Sequence, residues 1–290
     1  IRFVPKRMMK RNLTFYCTVD GTNAVGSIFY FRRIVMKINK STLNEAIYEL
    51  INLPDNATIV DLGCRNAGYL NGIINEFPGK VTKAIGVDVT DRNFGVIPYS
   101  TPVELKIMNC AGKLNFPDNE FDLVLTKDLL ECISDKATFV SEINRILKSG
   151  GIVICVHADF DSVVYNGENQ DLITKCIHSY AVTKQGWMDD LDGWMGRRVY
   201  GVFNNSGFFK SSICVHSVIE TEYKEGMFGF EFSQNIGWLV GESTDYVDGE
   251  NTGVLTKEEY DEFINNLVEA NVNGTYLYSK PYYIYKGIKK

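Results

Sequence analysis

The chain lacks most of the signatures that would place it at once. Seven cysteines stand at 17, 64, 110, 132, 155, 176 and 214, an odd number with no Cys-x-x-Cys pair. That spacing fits neither a zinc site nor a disulfide framework. Several lie in apolar patterns, as small buried thiols do in a reducing, cytoplasmic setting. No Lys/Arg-rich run interrupts a chain whose formal net charge is −6, so a nucleic-acid backbone is a poor partner. No run of eighteen apolar residues occurs, and no membrane span is expected. Internal repeats and low-complexity linkers are missing too. What remains is an ordinary globular composition, 45% hydrophobic and 23% charged over 290 residues. That length suits one large domain or a core domain with a sizeable insertion.

The first 35 residues have weak periodicity. Residues 24–31 are apolar but too short for a bilayer, and no small-residue cleavage site follows them. A helical pattern starts a few residues after Met36. Residues 1–35 are therefore read as an extension, either non-native or peripheral, and 36–290 as a single domain.

From there the pattern alternates. Thr42 and Glu45 are spaced as a capping box ahead of the stripe Leu43, Ala46, Ile47 and Leu50. Strands are expected at Ala57–Asp61, Ala84–Val89, Val103–Met108, Phe121–Thr126 and Ile152–Val156, with helices at Tyr69–Phe77 and Phe139–Leu147. Ser149-Gly150-Gly151 is a helix stop. This alternation predicts an α/β fold, doubly wound, with a mostly parallel sheet covered on both faces. After residue 160 the rhythm changes. Residues 160–210 read as an insertion with helical fragments. A strand at Ser211–Glu222, a helix at Thr256–Ala270 capped by Thr256 and Glu259, and an aromatic strand at Tyr276–Tyr285 complete the chain.

The richest stretch is Ile59-Val60-Asp61-Leu62-Gly63-Cys64-Arg65-Asn66-Ala67-Gly68, followed twenty residues later by Asp88. A glycine turn after the first strand, with an acid ending the second, is how such a sheet builds a nucleoside pocket: the backbone approaches the ligand at Gly63, and the carboxylate reaches ribose hydroxyls. Taken alone this fits a nicotinamide cofactor. The full Gly-x-Gly-x-x-Gly is missing, however, because Arg65 and Ala67 stand where glycines would let a pyrophosphate lie close.

Three further segments separate the alternatives. Leu114-Asn115-Phe116-Pro117-Asp118-Asn119-Glu120-Phe121-Asp122-Leu123-Val124-Leu125 resembles the LPFPDxxFDLVL run of class I S-adenosylmethionine-dependent methyltransferases. Leu129-Leu130-Glu131-Cys132-Ile133 resembles that family's VLEHV helix. Ile143-Asn144-Arg145-Ile146-Leu147-Lys148-Ser149-Gly150-Gly151 resembles its REIxRVLKPGG segment. With the glycine turn, four segments fall in the family's order over residues 57–157, most similar to the ubiquinone/menaquinone-biosynthesis branch.

The resemblance implies a seven-stranded Rossmann-like sheet with a lid insertion after strand five, S-adenosyl-L-methionine as cofactor and a small-molecule methyl acceptor. Carried over by position, Asp61, Gly63 and Cys64 would line the methionine part and Asp88 with Val89 the ribose. Cys110 and Ala111 would sit at the adenine edge and Thr126 beside the methyl. Where Cys110 stands many relatives have Asp, so a backbone contact from Ala111 would replace the usual carboxylate. The alternatives are a non-catalytic cofactor-binding protein on the same fold and a nicotinamide oxidoreductase.

On the acceptor side, His157 or Asp128 is the candidate base. Asp159 and Asp161 after strand five would hold a cationic amine, or serve only as loop caps; a metal site lacks a partner set. In Trp187-Met188-Asp189-Asp190-Leu191-Asp192-Gly193-Trp194-Met195-Gly196-Arg197-Arg198, Trp187 and Trp194 with the acids suit a cation, while Arg197 would take a carboxylate. The competing reading is an amphipathic helix burying Trp187, Leu191 and Trp194.

Overall fold

The computed structural model describes residues 42–92, 94, 103–186, 188–240 and 254–290. The extension read at 1–35 and Trp187 lie outside them.

Both expected capping boxes are present. Thr42 opens α1 (Leu43–Tyr48) and Thr256 opens α7 (Lys257–Val272), each accepting the N–H of the glutamate three residues on, while that glutamate caps the threonine's own N–H. Between them run β1 (Ala57–Leu62), α2 (Gly68–Glu76), β2 (Val81–Asp88), β3 (Val103–Ile107), β4 (Phe121–Lys127), α3 (Lys136–Ile146) and β5 (Leu147–Ala158). Then come β6 (Val164–Tyr165), α4 (Gln170–Val182), α5 (Met195–Asn204), β7 (Phe209–Glu220) and α6 (Phe228–Ile236); β8 (Tyr278–Lys289) ends the chain. The segment resembling the VLEHV helix is a single tight turn at Leu130–Cys132.

The sheet runs β3-β2-β1-β4-β5-β8, with β6 and β7 also pairing β8. Strands β1 to β5 are parallel, and β8 runs antiparallel to β5, β6 and β7. Among the described residues there are eight strands rather than the expected seven, because two residues of the post-β5 segment, Val164 and Tyr165, extend the β5 edge along the start of β8. Strand order reverses between β1 and β4, which opens a crevice beyond their carboxyl ends.

Alternating strand residues feed two cores. Ile59, Leu123, Leu125, Ile154 and Val156 meet α1, α2, α4 and α7 on one face. Val60, Leu62, Val124, Val153 and Cys155 meet α3 and α5 on the other. Within the 160–210 stretch, α4 buries Ile173, Cys176 and Ile177, and α5 buries Met195, Val199 and Phe203, whose ring stacks on Tyr285 at 4.5 Å. These two helices cover the sheet.

The segment before α5 is not the amphipathic helix that its spacing suggests. Residues 188–194 are irregular because their acids bind loop backbone and side chains: Asp189 accepts the Ser134 N–H, Asp190 pairs with Lys136, and Asp192 takes Arg198 and the Trp194 N–H. Such bonds compete with helical ones. Gly193 packs so tightly on Ala181 that a Cβ would lie 2.1 Å from its carbonyl oxygen.

Candidate active site

The β1–α2 turn folds back over the end of β2. Gly63 (φ +78°), Arg65 (+49°) and Ala67 (+56°) are all left-handed, so the two departures from the glycine pattern adopt the glycine conformation, at a steric cost. The Gly63 and Cys64 N–H groups both donate to the Val87 carbonyl, at 2.8 and 2.9 Å, and the Arg65 N–H donates to Asp88 at 2.8 Å. A Cβ on Gly63 would press against Leu129 at 3.2 Å, and one on Gly86 would meet the Cys64 sulfur at 2.8 Å.

Asp61 is buried and accepts no hydrogen bond from the described residues. Burial, then the neighbouring Asp88 carboxylate, push its carboxyl well above the usual range. A buried acid in that state fits a ligand bringing its own cation or donor. S-adenosylmethionine has such an ammonium, and its ribose diol suits Asp88. The residues fit this cofactor: Asp61 and the Gly63–Cys64 turn would hold the methionine part and Asp88 the ribose.

The other cofactor expectations fare unevenly. Cys110 is buried, with its thiol pushed up to about 12 by burial. The Ala111 N–H donates to the Asn109 side chain at 2.8 Å. Val89 is exposed at the rim, and Thr126 is fully buried with a hydroxyl that has no partner.

A second group of charges gathers beyond β4, β5 and the start of β8. Asp128, in a left-handed conformation, binds the Lys127 ammonium and accepts the Ala158 N–H at 3.0 Å. Although burial opposes it, attraction from Lys127 and then Lys280 holds this carboxyl well below the usual range. The candidate base is thus a firmly ionised clamp between β4 and β5.

His157 is fully buried. Its Nδ1 donates to the Ala158 carbonyl at 2.8 Å, which leaves Nε2 as an acceptor 3.4 Å from Glu131 Oε2. Burial lowers the imidazole, while burial and then Asp128 raise Glu131. Both shifts favour the uncharged forms of Glu131 and His157. Lys280, Tyr69, Tyr180 and Tyr282 complete the surroundings. Tyr282 lies between two ammonium groups, 5.1 Å from Lys127 and 5.2 Å from Lys280.

Four residues expected at the acceptor are bound to one another instead. Arg197 binds Asp159 through two nitrogens and also reaches Ser162. Asp161 accepts from the Trp194 indole at 2.9 Å and meets His178 at 3.0 Å. Among the described residues no cluster of His, Cys, Asp and Glu could hold a metal ion.

Sequence reasoning missed Glu131 as a site group, and Tyr180, Tyr282 and Lys280 altogether. For Lys280 a signal exists. Along β8 the even positions Tyr278, Lys280, Tyr282 and Ile284 are buried, so the lysine falls on the inward face of a strictly alternating strand.

Comparison with known proteins follows this geometry. Residues 60–155 match the family model described as a methyltransferase domain. These residues hold the Gly63 turn, Asp88, the Lys127–Asp128 clamp and Glu131, so the methyltransferase-domain match falls on the crevice just described. Two curated relatives are the demethylmenaquinone methyltransferase of Bacillus licheniformis and phosphoethanolamine N-methyltransferase 1 of Arabidopsis thaliana. The first is 30% identical over 37% of this chain and 47% of its own length, the second 28% over 37% and 22%. The chain thus spans less than half the length of either. A solved structure from Bacillus halodurans, provisionally described as a methyltransferase, superposes with a TM-score of 0.52 at 17% identity, over 85% of this chain and 98% of that one. It shares the fold.

Proposed function

We propose that the protein transfers a methyl group from S-adenosylmethionine to an oxygen or nitrogen of a small molecule by direct displacement. The observation that carries this reading is the pair Asp61 and Asp88 at the ends of adjacent strands, flanking the Gly63 turn. Bound S-adenosylmethionine supplies a methyl on a sulfonium, already a good leaving group, so the protein's task is alignment and exclusion of water. Asp61 and Asp88 fix the cofactor half. Lys127, over the faces of Tyr69 and Tyr282, walls the crevice between the two halves.

Neutral His157 suits the role of proton acceptor better than ionised Asp128, because Nε2 keeps a lone pair. Thr183, Gln185, Met188 and Leu191 line a small cavity shared with Glu131, Phe160 and Tyr180, which supports a capping role for that part of the 160–210 insertion. The acids that favoured an amine from the sequence are engaged with Arg197, His178, Trp194 and Arg198.

Calorimetric titration with S-adenosylmethionine, S-adenosylhomocysteine and NAD tests the reading. The first two should bind with dissociation constants on the order of micromolar. Asp88→Ala should weaken both by at least about tenfold, the loss expected for a charge-assisted contact. Binding of NAD instead, or of neither sulfur compound, would sink the proposal.

A further inference from the structure

Around the meeting point of β4, β5 and β8 every charged group but one has a polar partner. Lys127 and Asp128 hold each other, and Glu131 faces His157. Lys280 is different. Only 7% of it is exposed, and its ammonium lies 4.6 Å from the Phe160 ring centre, 4.7 Å from Phe232 and 5.2 Å from Tyr282. No described residue accepts a hydrogen bond from it. Aromatic faces attract the charge, but they leave three N–H donors unfilled. A buried donor set of that kind calls for acceptors from elsewhere.

Beside it lie a small cavity and unused polar atoms. Phe160 and Glu131 also line the small cavity described above, and Glu131 Oε2 and His157 Nε2 make no hydrogen bond among the described residues. The charge count then decides what fits. Asp128 is paired with Lys127, and burial favours the uncharged forms of Glu131 and His157, so the charge without a polar partner is the Lys280 ammonium. An amine would meet repulsion there, and the acids of residues 159–192 that would offset it are already paired.

We propose that the space between β4, β5, β8 and α4 binds a small molecule through an anionic oxygen, a carboxylate or a phenolate, with Lys280 as its counter-ion. That this bound acid is the methyl acceptor rests on the function proposed above; that an acid binds here does not.

The test is titration of the full chain with benzoate, 4-nitrophenolate and benzylamine, each with and without S-adenosylhomocysteine. At least one acid should bind, and benzylamine at least about tenfold more weakly. Lys280→Met should weaken the acid by at least about tenfold while leaving S-adenosylhomocysteine affinity unchanged and the melting temperature undiminished. Lys280→Arg should keep most of the acid affinity. Lys280→Gln takes the place of the Met variant if that variant fails to fold. Benzylamine binding as well as the acids, acid affinity unaltered without Lys280, or no binding of either acid would overturn the proposal. Loss of cofactor binding is read separately, because the acids are also titrated into cofactor-free protein.

Discussion

At the scale of single residues, the cofactor turn depends on backbone conformations that side chains resist. Gly63 is left-handed with Leu129 pressed against the place where a Cβ would stand. Arg65 and Ala67 carry the same conformational cost with side chains attached, so the turn is already near what its neighbours can hold. Gly63→Ala adds a third such residue together with a contact. It should lower stability by about 1–2 kcal/mol in urea denaturation. It should also weaken S-adenosylhomocysteine binding by about tenfold, since the turn shifts by a few tenths of an ångström at the ligand. Unchanged affinity would show that the ligand does not approach the backbone at Gly63. From sequence, Asp61, Gly63 and Asp88 were legible because their roles follow from position along the chain. Lys280 was not singled out, since its surroundings come from Phe160 and Phe232, 120 and 48 residues earlier in the chain.

At the scale of elements, the post-β5 region is held by ion pairs that the sequence presented as candidate ligands. Asp159, fully buried at the end of β5, ties α5 to the sheet through both Arg197 nitrogens. Arg197 is half exposed, so its own desolvation is modest, whereas Asp159 without it is a buried carboxylate with only the Ser162 hydroxyl. Arg197→Met should cost about 2–4 kcal/mol. Asp159→Asn in the same chain should recover part of that, because the stranded charge is gone; thermal unfolding of the single and double variants checks both. Cofactor affinity should not change, since the pair lies on the β5–α5 side. A fall in that affinity would return Arg197 to the binding site. An acid and an arginine 38 residues apart look alike whether they bind a ligand or one another, and the register of α5 against β5 settles which. Trp187, Leu191 and Trp194 show the same limit: their spacing is helical, yet the intervening Asp189, Asp190 and Asp192 find stronger partners outside a helix.

At the scale of the whole molecule, the parallel half of the sheet was legible because each βα unit repeats a local pattern. The extra strand and the acceptor half were less so, because β8 gathers β5, β6 and β7 from across the chain. That gathering buries Lys280 at a thermodynamic cost, and the cost is measurable through pH. Burial lowers the Lys280 ammonium from its ordinary 10.5 to about 8, against the pull of Asp128. Between those values the unfolded chain binds a proton that the folded chain does not, so this residue's contribution to stability rises with pH across that window. Below about pH 8 the penalty is present in full, about 3 kcal/mol before the aromatic contacts offset some of it. Lys280→Met should therefore raise stability at pH 7 by about 2–3 kcal/mol, and the gain should fade toward pH 10.5. Paired urea denaturation of the two proteins at pH 7, 9 and 10.5 measures the difference and cancels groups titrating alike in both. A gain at pH 7 would mean the fold tolerates a destabilising ammonium, as functional sites do. A loss at pH 7 would mean that Lys280 is an anchor for Phe160, Phe232 and Tyr282, and that the positive charge at the start of β8 belongs to the fold.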